Sequence, residues 1–260
     1  MSTDTAENIE NIIEVNNLSL SILGKQILQD ISLELKPRET LVIMGKNGSG
    51  KSMLLKTMMG LFHPQTGTSK LFRKNIFSLS SSELDDILEK VGYVFQKSGL
   101  FDSMKVWENV VFAVRRLRKM SNEELLAHAT SCLNRSGLKD AEHKLPSELS
   151  GGMQKRAGIA RAIALDPQIL LMDDPTAGLD PVLTDAIADL ILEIRDNLHC
   201  AAIVVCHDLK FAYKLADRIG LMVAGKLHTV LPVSEFQTTT EPYVLQFREG
   251  NLTGPIPVVE

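Results

Sequence analysis

Thr40-Leu41-Val42-Ile43-Met44-Gly45-Lys46-Asn47-Gly48-Ser49-Gly50-Lys51-Ser52 joins an apolar run to a glycine-rich turn and a lysine–serine pair. The first five residues read as a buried strand entering a loop. Leu54, Leu55, Met58 and Met59 then give a helix its apolar face, and Gly60 ends it. Gly45 to Ser52 match the pattern GxxxxGK[ST], whose glycines let the backbone curl until several N–H groups point at one phosphate. Lys51 supplies charge for the β- and γ-phosphates of a nucleotide, and Ser52 offers its hydroxyl to Mg²⁺. The helix that follows adds its positive N-terminal end. The candidate nucleotide residues are therefore Gly45, Lys46, Asn47, Gly48, Ser49, Gly50, Lys51 and Ser52.

The second half of such a site is expected at Ile169-Leu170-Leu171-Met172-Asp173-Asp174. An apolar strand ending in acid places a carboxylate at the carboxyl edge of a sheet, where open α/β sheets bind ligands. Asp173 suits Mg²⁺, through water.

The remaining pattern alternates strands with helices. Glu14 to Leu35 reads as antiparallel strands with a turn near Gly24. A short helix is expected over Ser82–Lys90, then a strand over Val91–Phe95. Val106 to Gly137 is helical in pattern, with Ser121 and Glu124 as a capping box and Gly137 as a C-cap. Another helix begins at Ser150 and ends at Asp166-Pro167, and Pro181 opens a third as an N1 proline. In that third helix Leu183, Ile187, Leu190, Ile191, Ile194 and Leu198 share a face. Ile203 to Cys206 is a buried strand, and a hairpin is expected around Ala224-Gly225. Continuous apolar strands between helices imply a mostly parallel sheet covered on both faces, with an inserted helical block.

Composition narrows the class. The chain has 260 residues, 44% hydrophobic and 23% charged, ordinary for a soluble protein. A net charge of −4 argues against nucleic acid as a partner. The cysteines Cys132, Cys200 and Cys206 form no CxxC pair, so neither a disulfide framework nor a zinc site is indicated. Asp4, Glu7 and Glu10 sit in a polar start with no apolar core, so no signal peptide is expected. No apolar run is long enough to cross a bilayer, so service to a membrane would go through a partner.

Leu149-Ser150-Gly151-Gly152-Met153-Gln154 resembles the LSGGQ signature of ABC transporter ATPases, with its last position changed. Physically it is a second phosphate-binding helix start: Ser150 can cap it, and Gly151 and Gly152 allow close backbone approach. The other ABC motifs follow in family order. Gln96 after a strand resembles the Q-loop glutamine, which reaches Mg²⁺ and the attacking water. Asp180 in Ala177-Gly178-Leu179-Asp180 resembles the D-loop, and His207 the switch histidine that contacts the γ-phosphate. The resemblance covers residues 14 to 234. It implies an α/β P-loop NTPase of the ABC type: a mostly parallel core, an antiparallel β-subdomain and a helical subdomain over 98–165. It implies residues 1–10 as a disordered N-terminus, 11–234 as the ATPase domain and 235–260 as a tail. Catalysis would fall to Asp174, His207, Gln96 and Lys51, with Ser52, Gln96 and Asp173 around Mg²⁺. Ser150, Gly151, Gly152 and Asp180 would complete the site of a second subunit.

Val94 to Met104, Leu149 to Arg156 (LSGGMQKR) and the tail segments Gln246-Phe247-Arg248-Glu249-Gly250 and Gly254-Pro255-Ile256 are more specific. Together they resemble the ATPases of Mla-type transporters, which move phospholipid or other hydrophobic molecules between bacterial membranes. That resemblance implies an integral membrane permease and a membrane-anchored MCE protein as partners. The place implied is the cytoplasmic face of the inner membrane. The alternatives are an ATPase of another ABC importer, for amino acids or metals, and a slow-hydrolysing regulatory subunit. Soluble ABC ATPases of DNA repair or translation carry long coiled coils or two ATPase halves, and this chain has neither.

Two departures from the ABC pattern stand out. Asp174 occupies a position where the family usually has Glu; the shorter side chain withdraws the carboxylate by about 1.5 Å. A misplacement of about 1 Å can cost on the order of a hundredfold in rate, so slow hydrolysis is expected unless the backbone compensates. Ile22 and Leu23 stand where an aromatic residue usually stacks on adenine, so weaker discrimination of ATP from GTP is expected. Leu100, Phe101 and Met104 form an apolar loop that either meets the permease or is buried in the helical block. Arg115, Arg116, Arg118 and Lys119 are either a solvated helix face or a surface for lipid headgroups. The apolar, proline-rich end is expected to dock on a neighbouring subunit and support the dimer, or else to be a flexible tail.

Overall fold

The computed structural model describes residues 10–257. The N-terminus expected to be disordered lies outside them, residue 10 apart. Strands β1 (Ile13–Ile22) and β2 (Lys25–Leu35) form a hairpin, with Leu23 and Gly24 both at positive φ in its turn. Strand β3 (Thr40–Met44) leads through the glycine-rich turn into helix α1 (Lys51–Met58). Strands β4 (Thr66–Leu71) and β5 (Lys74–Asn75) extend the hairpin into an antiparallel sheet of order β2-β1-β4-β5. Helix α2 (Ser81–Leu88) opens with a capping box of Ser80 and Glu83, and strand β6 (Val91–Val94) follows it.

The helical run beginning at Val106 is broken into three: α3 (Val106–Val110), α4 (Phe112–Leu117) and α5 (Asn122–Arg135). Val111 caps both of the first two, at φ −94° and ψ 15°. Arg118 is extended, which stops the second helix before the Ser121 capping box restarts the third. Gly137 then takes φ 68° just beyond the Ser136 cap. Helix α6 (Gly151–Ala162) is capped by Ser150 and ends earlier than Asp166.

Strand β7 (Ile169–Asp173), helix α7 (Pro181–Leu198), strand β8 (Ala201–Val205), helix α8 (Leu209–Leu215) and strands β9 (Arg218–Val223) and β10 (Lys226–Pro232) complete the core. The large sheet has the order β10-β9-β3-β8-β7-β6, parallel except for the β9–β10 hairpin. Its central strands are apolar throughout because each buries both faces. Val42, Met44, Leu170, Met172, Ala202 and Val204 pack with Ile187, Ile191 and Ile194 of α7 on one side. Leu41, Ile43, Ile169, Leu171, Ile203 and Val205 pack with Leu54, Leu55 and Met58 of α1 and with the antiparallel sheet on the other. The helices between β6 and β7 enclose their own core, built on Val110, Val114, Leu133 and Ala157. Leu183 departs from the apolar face expected of α7: it is exposed and lies beside Gly152.

The end of the chain forms α9 (Val233–Thr238) and α10 (Pro242–Glu249). Phe236, Val244 and Ile256 are buried in the core of this same chain. The expectation that the apolar end needs a neighbouring subunit for cover is corrected here for Ile256, which is 6% exposed. Buried Gln246 holds it there, accepting from the Ile256 N–H at 2.7 Å and donating to the Ile256 and Asn251 carbonyls at 3.0 and 3.2 Å.

Candidate active site

Four parallel strands, β3, β8, β7 and β6, run to the same edge of the sheet, and a candidate residue follows the end of each. Gly45 follows β3, His207 lies just past β8, Asp173 ends β7 with Asp174 next, and Gln96 lies just past β6. Parallel pairing therefore collects residues from 45 to 207 at one edge, as the strand-end rule requires.

The glycine loop is wedged between the β9–β10 turn and β2. A Cβ on Gly45 would lie 2.0 Å from the Met222 carbonyl oxygen. One on Gly50 would meet the Met222 and Leu28 side chains and the Ile27 carbonyl at 2.9–3.0 Å. The Gly225 N–H donates to the Ser49 carbonyl at 3.0 Å, fixing the loop from outside. Gly50 begins α1 at φ 101° with no side-chain cap, so the first N–H groups of the helix are left for another acceptor. Ser49 Oγ is buried and, among the described residues, has no hydrogen-bond partner, which leaves a second donor in the loop. Lys46, Asn47 and Gly48 are exposed around its rim.

Lys51 donates to the carbonyls of Gly45 and Lys46 at 2.7 and 2.8 Å. Burial lowers its pKa to about 8, against the opposing pull of Asp174, Cys206 and Asp173. Ser52 Oγ donates to Asp173 Oδ1 at 2.7 Å, and the Tyr93 hydroxyl donates to Oδ2 at 3.4 Å. The Ser52–Asp173 pair is a hard-oxygen donor set that fits Mg²⁺ beside phosphates. Tyr93 carries no sequence signal for this role beyond standing one residue before the end of β6.

Asp174 takes φ 48°, and its N–H donates to the Val205 carbonyl at 2.9 Å. Aspartate tolerates this left-handed conformation better than most residues, because its short polar chain bonds locally. Burial raises its pKa, countered by His207, Lys155 and Lys51 and reinforced by Asp173. His207 Nδ1 lies 3.2 Å from the Gly45 carbonyl, and Nε2 lies 3.5 Å from Asp174 Oδ2. Gln96 has its side chain exposed, and its carbonyl accepts from Lys155 at 2.5 Å.

The residues proposed for a second subunit's site stand elsewhere. Ser150 Oγ accepts from the Met153 N–H at 3.4 Å and is exposed with Gly151. A Cβ on Gly151 would meet nothing within 4 Å. Asp180 caps α7, its Oδ1 accepting from the N–H groups of Val182 and Leu183 at 2.9 and 3.0 Å. Among the described residues, no hydrogen bond joins Ser150, Gly151, Gly152 or Asp180 to the loop over 45–52.

Sequence reasoning missed Lys155, read only as one letter of LSGGMQKR, and Asn109. Buried Asn109 accepts from the Phe101 N–H at 2.7 Å and donates to the Phe101, Met104 and Lys105 carbonyls at 3.1 Å each. It thereby shapes the apolar loop, on which Leu100 packs inward while Phe101 stays exposed against Phe112. Arg115, Arg116, Arg118 and Lys119 are all exposed.

The ABC transporter family model matches residues 28–177. The chain is 37% identical over 248 residues to the probable ribonucleotide transport ATP-binding protein Mkl of Mycobacterium tuberculosis, covering 95% of this chain and 69% of Mkl. It is 32% identical over 247 residues to the intermembrane phospholipid transport system ATP-binding protein MlaF of Haemophilus influenzae, covering 95% of this chain and 94% of MlaF. The ATP-binding cassette MJ0796, in a dimeric post-hydrolysis state with ADP and Pi, superposes with a TM-score of 0.78 at 30% identity, over 85% of this chain and 98% of that one. The chain belongs to the ABC transporter family, as its ATP-binding and ATP-hydrolysing subunit.

Proposed function

We propose that two copies of this chain sandwich two ATP molecules, each held by the glycine loop of one copy and the Ser150 helix start of the other. One observation carries the reading: the chain holds two glycine-flanked helix starts that do not meet. The start of α1, without a side-chain cap, carries Lys51 and Ser52, and the Ser150–Gly152 end opens to solvent with room beside Gly151. The roles follow from chemistry. Gly45 to Gly50 cradle the phosphates with main-chain donors, and Lys51 carries the charge. Ser52 and Asp173, with Gln96, would hold Mg²⁺, which when bound neutralises phosphate oxygens. Asp174 and His207 orient the attacking water, and Asp180 lies at the subunit boundary. Differential affinity of ATP for the closed pair drives closure, and loss of the γ-phosphate releases it.

The transported substrate is phospholipid or another hydrophobic molecule. MlaF, whose length this chain matches almost completely, is named for phospholipid transport. The segments Val94–Met104, Leu149–Arg156 and Gln246–Gly250 carry the same resemblance in this chain. Among the described residues no helix is long and apolar enough to cross a membrane. A membrane permease is the partner that the MlaF-like reading calls for. The loop after Gln96, with Phe101 and Phe112 exposed, is the surface that would face it. An MCE protein completes the assembly at the inner membrane, with this subunit on its cytoplasmic side. Affinity purification from membranes, with identification of bound subunits and lipids, tests this reading. Recovery of a permease and an MCE protein with phospholipid supports it. Recovery with nucleotide-dependent binding of ribonucleotides, amino acids or metal would reject the lipid assignment.

A further inference from the structure

Lys155 is 6% exposed, although a lysine on a helix surface normally keeps its ammonium in water. Its Nζ donates to the Gln96 carbonyl at 2.5 Å and to the Asp174 carbonyl at 3.3 Å. Three segments therefore meet on one ammonium: helix α6, the turn after β6 and the turn after β7. Both acceptors are main-chain oxygens, so the bonds fix where the two turns lie while leaving the side chains of Gln96 and Asp174 free. Burial lowers the pKa of Lys155, and the nearby carboxylates of Asp174 and Asp173 oppose that shift. Those acids keep a buried cation tenable at this spot.

The same face of α6 grips the rest of the loop. Gly158 packs on Ser98, where an added Cβ would lie 3.3 Å from the Ser98 carbonyl oxygen. Arg161 donates to the Ser98 and Gly99 carbonyls at 2.8 and 2.6 Å, and its guanidinium lies 5.4 Å from the Phe95 ring centre. Positions 155, 158 and 161 follow the helical i, i+3 spacing. Gly158 and Arg161 hold the loop over 95–99 to the helix. Lys155 alone among these three also hydrogen-bonds to the turn carrying Asp174.

We propose that Lys155 is a positioning residue that ties the Ser150-bearing helix to the main chain of Gln96 and Asp174. The inference rests on the roles proposed above for Ser150, Gln96 and Asp174. When the Ser150 end engages the nucleotide of the other copy, the displacement of α6 passes through this ammonium to the water-orienting Asp174 of its own copy. A rigid link of this kind couples engagement at one site to chemistry at the other without either side chain moving far.

The test is steady-state ATP hydrolysis and equilibrium ATP binding by the full-length parent, Lys155→Met and Lys155→Arg, with each rate divided by the fraction of protein that binds ATP. Lys155→Met keeps the stem and removes the donors. It is expected to lower kcat by about tenfold or more while ATP affinity stays within about threefold. Lys155→Arg, which keeps charge and donors, is expected to recover most of that rate. A merely structural lysine would lower the melting temperature and the binding fraction but leave kcat per binding-competent chain unchanged, and that result overturns the proposal. Parallel loss of ATP affinity and kcat also overturns it. Should Lys155→Met fail to fold, Lys155→Gln, an uncharged donor of shorter reach, must show the same split. An Asp174→Asn control separates the two readings. If it hydrolyses ATP like the parent, the site assignment is wrong. If it is inactive while Lys155→Met turns over normally, only the Lys155 proposal falls.

Discussion

His207 Nε2 stands 3.5 Å from Asp174 Oδ2 while its Nδ1 lies 3.2 Å from the Gly45 carbonyl. A carbonyl can only accept, so Nδ1 carries the hydrogen in that contact and the ring is aimed at Asp174 by the phosphate loop itself. Lying just past β8, His207 thus links the end of β3 to the turn after β7.

Asp174 is buried and its pKa is raised, chiefly by that burial. The folded chain therefore holds this proton more readily than the unfolded chain does. The stability this group contributes is greatest at low pH and is lost as pH rises from the unfolded value through the folded one. Above the unfolded value that burial opposes folding, so Asp174→Asn is expected to raise Tm while reducing hydrolysis by about a hundredfold or more. Thermal unfolding and phosphate release, measured together, check both halves. A variant that loses stability along with activity would contradict the burial argument.

Lengthening the same side chain tests its reach. Asp174→Glu advances the carboxylate by about 1.5 Å and is expected to raise turnover. The left-handed φ of 48° suits Glu less well than Asp, so a destabilisation of about 1 kcal/mol should accompany the gain. An unchanged turnover number would mean that the positive-φ turn already delivers the shorter acid to the water.

Lys51 loses its proton near pH 8 in the folded chain, because burial outweighs the attraction of Asp174, Cys206 and Asp173. Between about pH 8 and the unfolded value of 10.5 the unfolded chain binds more protons, so the stability from this group rises with pH. Phosphates favour the charged ammonium. ATP binding at about pH 9 is therefore expected to take up a proton, and much less uptake should occur near pH 7. Calorimetry in two buffers of different ionisation enthalpy measures the uptake, and Lys51→Met should abolish it.

How far the residues announced all this depends on whether their partners are local. The strand–loop–helix from Thr40 to Met58 was legible because its glycines, lysine and apolar spacing act within a few residues. The Ser121–Glu124 box and the Asp180–Pro181 helix start were legible for the same reason. The break at Val111 was not, because Val106, Val110, Val111 and Val114 all enter one buried cluster on either side of it. Lys155 stayed hidden because its acceptors lie 59 and 19 residues away and are main-chain oxygens, which no residue type signals. The end with Ile256 read as docking on a neighbouring subunit because Gln246 is informative only once α10 turns it inward.

Gln246 makes three hydrogen bonds to the end of the chain from a buried position. Gln246→Ala leaves the Ile256 N–H and carbonyl without these partners, at about 1–3 kcal/mol. A lower Tm and faster proteolysis beyond Gly250 are the expected results. If instead the end is held by another copy, light scattering of the variant will show a weakened dimer with Tm little changed.

Gly151 offers the sharpest test of the shared site. It lies at the first position of α6, no positive φ requires a glycine there, and an added Cβ meets nothing within 4 Å of its own chain. Within one copy, Gly151→Ala is therefore neutral or stabilising, by up to about 1 kcal/mol from helix propensity. If a second copy presents its γ-phosphate to this helix start, the new methyl occupies the approach, and the effect appears only when the copies meet. ATP affinity of the isolated subunit and its Tm should then hold, while ATP-dependent dimerisation and kcat fall by about tenfold or more. Light scattering with ATP, on a chain that also carries Asp174→Asn to stop hydrolysis, gives the dimer readout. Full dimerisation and turnover in Gly151→Ala would place the second phosphate contact somewhere other than the Ser150 helix.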